Sequence, residues 1–125
     1  MAISVRTRGD VSIVEMTGEF TLGTGGLMHA LDLRGRRLSD LGQTLSQLLD
    51  QGRGRILLDL ARVSFFDSAG LGDLIACKKR TVEQGGDIRL LHPKGKVREL
   101  LEMLSLSKVF RIFDDENAAV ASFDT

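Results

Sequence analysis

The chain has 125 residues, 42% of them hydrophobic and 27% charged, which suits one compact domain with a real core and leaves no room for two ordinary ones. Lys plus Arg and Asp plus Glu are both 17, so the formal charge is zero and no basic excess points to nucleic acid or an anionic membrane. A single cysteine, Cys77, excludes an intrachain disulfide and fits a reducing, cytoplasmic setting. No apolar run approaches the ~18–20 residues of a membrane-spanning helix, and the N-terminus lacks a signal peptide's apolar block.

"ISVRTR" and "VSIVEMT" alternate apolar and polar residues around Gly9-Asp10, the pattern of a β-hairpin. The glycine-rich stretch that follows is expected to form a long loop over residues 22–37. Leu38, Leu41, Leu45, Leu48 and Leu49 then share one helical face, with Gly52 as the stop. "RILLDL" is a nearly continuous apolar run, the mark of a strand covered on both faces. After Ser68 the apolar positions Leu71, Leu74, Ile75 and Cys77 recur at helical spacing, and Gly85-Gly86 ends that helix. The late "KKR" at 78–80 reads as a solvated helix end. "DIRLLH" is the next strand. Val97, Leu100, Leu101 and Leu104 mark another amphipathic helix, "VFRIF" a last strand, and "DDENAAVASF" a last helix with acids in its first turn. The order is ββαβαβαβα, an α/β domain with a mostly parallel sheet of four or five strands.

Catalytic patterns are mostly missing. "TLGTGG" has the glycines of a phosphate-binding loop without the lysine, and "KGKV" the reverse. Ser68 has the topology of a nucleophile elbow, but Phe66 stands where its first glycine belongs. His29, His92 and Cys77 show no metal-ligand spacing. No enzyme activity, cofactor or metal is expected. What remains is Asp67-Ser68, a small polar pair where a strand gives way to a helix, which reads as a helix cap or as a hydroxyl presented to a partner.

"VSFFDSAGLGDLI" resembles the signature of the STAS domain in bacterial anti-sigma factor antagonists, an Asp-Ser-(Ser/Thr/Ala)-Gly-(Leu/Ile)-Gly pattern after a strand. "MTGEF" is similar to the Gly-Glu-Phe/Leu that ends that family's second strand, and the stretch from "GGDIRLL" to "ENAAVASF" resembles its C-terminal half. The resemblance implies one STAS domain over 1–125, with helices largely on one face of the sheet. It implies a phosphorylatable Ser68 and a partner surface of Asp67, Ala69, Gly70, Leu71, Gly72, Asp73 and Thr21. Here Thr21 stands near where many members carry an Asp. The implied partners are an anti-sigma factor serine kinase, which would bring its own ATP, and a phosphatase. The chain itself would be a monomer or weak dimer. The resemblance leaves room for an unmodified STAS scaffold in a signalling or lipid-transport complex, and the residues alone for a small serine hydrolase.

Overall fold

The first two strands, β1 (Ala2–Arg8) and β2 (Val11–Phe20), form the expected antiparallel hairpin. Gly9, at φ +59°, supplies the left-handed turn that closes it. The computed structural model describes residues 2–20, 40–66 and 68–124. Beyond the hairpin the chain runs through α1 (Asp40–Asp50), β3 (Arg55–Phe66), α2 (Ser68–Glu83), β4 (Asp87–Leu91) and α3 (Gly95–Met103). A 3-10 turn (Leu106–Lys108), β5 (Ile112–Phe113) and α4 (Glu116–Ser122) complete it. The expected glycine-rich loop at 22–37, with Leu38 and His29, lies outside the described residues.

The five strands lie in the order β1-β2-β3-β4-β5, and every pairing after the hairpin is parallel. β3 is central, which is why its apolar run is continuous: Ile56, Leu57, Leu58 and Leu60 are all fully buried. Alternate side chains serve two cores. Leu58 and Leu60 join Val14 and Met16 beneath Leu45 of α1, Leu74 of α2 and Leu101 of α3. Leu57 joins Val11, Ile13 and Leu91 on the other face, which Ala119 of α4 and Phe123 just after it cover. At the lower end of the sheet, β3 and β4 enter so closely that a Cβ on Gly86 would lie 2.3 Å from the Gly54 carbonyl oxygen. Only glycine fits there.

α4 is capped as its acids suggest, with Asp115 accepting from the Ala118 N–H at 2.8 Å. Glu116 ties the helix to the hairpin by accepting from Arg6 and, at 2.8 Å, from Arg8. These guanidinium groups hold the Glu116 carboxyl below its ordinary pKa, against a smaller opposing effect of burial.

Four expectations fail in detail. Ile75 is 40% exposed, because α2 turns Leu71 and Leu74 inward instead. Lys78 is no solvated end: it pairs with Asp87 at the start of β4 and lies 5.6 Å from the Phe110 ring. Leu104 lies beyond the end of α3 and is half exposed, since left-handed Ser105 turns the chain so that Leu106 enters the core. In "VFRIF" only Ile112 and Phe113 pair with β4, while Phe110 leaves the 3-10 turn as a buried core ring.

Candidate functional site

β3 carries the chain through the middle of the sheet and releases it at Phe66, and α2 begins at Ser68. Its partner strand β2 reaches the same level, with Gly18 opposite Val63 and Phe20 opposite Phe66. The "MTGEF" and "VSFFDS" motifs, far apart in sequence, therefore meet at one end of the sheet. This is where open α/β sheets build their sites, beyond the carboxyl ends of parallel strands.

The first turns of α2 bring together Ser68, Ala69, Gly70, Leu71, Gly72 and Asp73. Gly70 and Leu71 are buried, Asp73 is half-buried and engaged with its surroundings, and Gly72 is exposed. Asp67 and Thr21 lie outside the described residues, as do the side chains of Ser68 and Ala69. Among the described residues, nothing beyond its chain neighbours and its own helix backbone lies within 4 Å of the Cβ that Gly72 lacks. Glycine in a helix interior costs up to about 1 kcal/mol relative to alanine, and none of the described neighbours requires it here.

From Gly72 the outer face of α2 continues through Ile75, Ala76 and Lys79, all exposed and spaced by three or four residues. Sequence periodicity missed this stripe, because Ile75 adjoins Leu74 and either could face the core. The opposite side of the helix is firmly held. Leu71 and Leu74 are buried, the Thr81 hydroxyl donates to the Cys77 carbonyl at 2.7 Å, and Arg80 donates to Ser46 of α1 at 2.8 Å. At the far end Lys78 and Arg89 both pair with Asp87. Burial raises the Asp87 pKa, but these two cations outweigh it and the carboxyl stays below its ordinary value. A second apolar feature flanks the sheet end: Phe65, Phe66, Val97, Leu100 and Met103 line a groove between β3 and α3.

Among the described residues, no group of His, Cys, Asp and Glu could hold a metal ion, and no helix is long and apolar enough to cross a membrane. What the site offers is a surface: a helix start at a sheet end, followed by an exposed helix face.

This arrangement belongs to a class of small α/β domains in which a parallel strand ends at the start of a helix beside the sheet. The chain is a member of the STAS domain family, which matches residues 2–119. A protein of Bordetella bronchiseptica, BtrV, named as a candidate anti-sigma factor antagonist, is 32% identical over 81 residues, 65% of this chain and 70% of BtrV. The crystal structure of an anti-sigma factor antagonist from Mycobacterium paratuberculosis has the same fold, with a TM-score of 0.77 at 20% identity over 99% of this chain and 94% of that one. So does SpoIIAA of Bacillus, an anti-sigma factor antagonist solved in unphosphorylated and phosphorylated forms. Its phosphorylated form gives a TM-score of 0.66 at 18% identity over 97% of this chain and 98% of that one.

Proposed function

We propose that this chain, as one STAS domain, is an anti-sigma factor antagonist whose binding is switched at Ser68. Unphosphorylated, it binds an anti-sigma factor serine kinase through the start of α2 and releases the sigma factor. Phosphorylation by that kinase ends the binding, and a phosphatase restores it. The chain is a binding module and the chemistry belongs to its partners. Thr21, Asp67, Ala69, Gly70, Leu71, Gly72 and Asp73 form the contact surface with Ser68.

The observation that carries the reading is Ser68 as the first residue of a 16-residue helix whose outer face opens on Gly72. A helix start tolerates an anion, because its first N–H groups are free and the dipole is positive there. A phosphate adds about −1.5 to −2 charges. The isolated domain therefore absorbs the modification, whereas a partner packed on Gly72 must desolvate or avoid a dianion, at a cost that reaches several kcal/mol. Names carried by BtrV and the structural relatives agree with this reading, as does the existence of a phosphorylated form of SpoIIAA.

The test is incubation with the candidate kinase and ATP, read by intact mass and by kinase binding of two variants. One phosphate is gained at Ser68. Ser68→Ala binds the kinase and is never released by ATP, while Ser68→Asp stays folded and binds poorly. Equal binding by the two folded variants would sink the switch.

A further inference from the structure

The sheet has two edges, and they differ. β5 is two residues long and offers little backbone to pair with. β1 is seven residues long, contains no proline, and pairs in unbroken register with β2 alone. Among the described residues its outer edge has no partner strand. Such an edge presents a row of unpaired N–H and C=O groups, which soluble proteins usually shield with charge, a bulge or a covering element. The two charged residues of β1 give it little protection. Arg6 and Arg8 lie on the α4 face, where Glu15 and Glu116 neutralise and hold them over the sheet.

We propose that β1 pairs antiparallel with β1 of a second copy of this chain, joining two five-stranded sheets across a two-fold axis at Val5. The strand sequence selects that register. Full overlap of residues 2–8 places residue n opposite residue 10 − n of the other copy. On the α1 face, Ile3 then meets Thr7 and Val5 meets Val5, an all β-branched row of the kind that stabilises cross-strand pairs. Ile3 already packs against the core, while Val5 is 43% exposed beside a groove whose far wall is Thr44, Gln47 and Leu48 of α1. On the α4 face, Arg8 meets Ala2 and Arg6 meets Ser4, so no like charges oppose each other. Shifting the axis to Arg6 would set Arg6 against Arg6, which is unfavourable. The edge is thus self-complementary, as an isologous interface requires. A strand edge buries less than the roughly 800 Å² per partner of a standard interface, so the dimer forms and dissociates with concentration. It is independent of Ser68, which belongs to the α2 end of β3.

Sedimentation equilibrium of the full chain from about 5 to 500 µM tests this by mass action. The wild-type weight-average mass rises from 13.7 kDa towards twice that value. Val5→Lys places two cations at the axis and weakens association at least about fivefold. Met103→Lys, at an exposed apolar site on α3, changes nothing. Amide exchange of wild-type protein, which needs no variant to fold, shows alternate β1 amides slowing as concentration rises. A wild-type monomer throughout overturns the proposal. So does a Val5→Lys dimer as tight as wild type, a dimer lost on Met103→Lys, or β1 amides indifferent to concentration.

Discussion

Replacing Gly72 with alanine separates what the fold needs from what the partner needs. Position 72 is the fifth residue of α2, it is exposed, and among the described residues a methyl group there meets nothing within 4 Å beyond its own helix backbone and chain neighbours. Among the described residues no steric cost opposes the helix propensity of alanine, which favours the variant by about 0.8–1 kcal/mol in a helix interior. For a chain of 125 residues that corresponds to a rise in Tm of roughly 3–5 °C. A partner seated on the helix start should respond in the opposite sense, because the added methyl keeps its backbone from the closest approach. The expected result is a more stable protein that binds the anti-sigma factor less tightly, by about tenfold if one close contact of about 1.4 kcal/mol is lost. Calorimetry on the free protein and titration against the kinase read the two effects separately. An unchanged or lower Tm would refute the argument from open space. A higher Tm with unaltered kinase binding would refute the claim that Gly72 is kept open for a partner.

Ile75→Glu should leave the melting transition near wild type, since the side chain is 40% exposed, yet weaken kinase binding in the same titration. Leu58→Asp should abolish the cooperative transition seen by circular dichroism, because an unpaired charge in a fully buried position costs several kcal/mol, comparable with the whole stability of a small domain. Asp87 has a depressed folded pKa, so its contribution is complete above the ordinary value of 3.8 and is lost as pH falls from there through the lower folded value. Asp87→Asn should therefore destabilise the protein at neutral pH and flatten the acid limb of a urea-unfolding series between pH 5 and 2.

Local chemistry alone determined much of this protein. Alternation around Gly9-Asp10 specifies the hairpin, the unbroken apolar run of "RILLDL" requires a strand buried on both faces, and Asp115 three residues before Ala118 announces a cap. The start of α2 at Ser68 was legible for the same reason, because apolar spacing changes from strand to helix at that point. Tertiary structure decided what periodicity leaves degenerate. Leu74 and Ile75 are adjacent and equally apolar, and only the packing of α2 on the sheet sends the first inward and the second out to the exposed face of the helix. Lys78 looks like any late-helix cation until β4 brings Asp87 beside it and the 3-10 turn brings Phe110 beneath it. Leu104 is half exposed and Leu106 buried because the left-handed residue between them, Ser105, redirects the chain, and Phe110 enters the core from the 3-10 turn rather than from a strand. The meeting of "MTGEF" with "VSFFDS" depends likewise on the parallel register of β2 with β3. A register is a property of two strands packed together and is encoded in neither strand by itself.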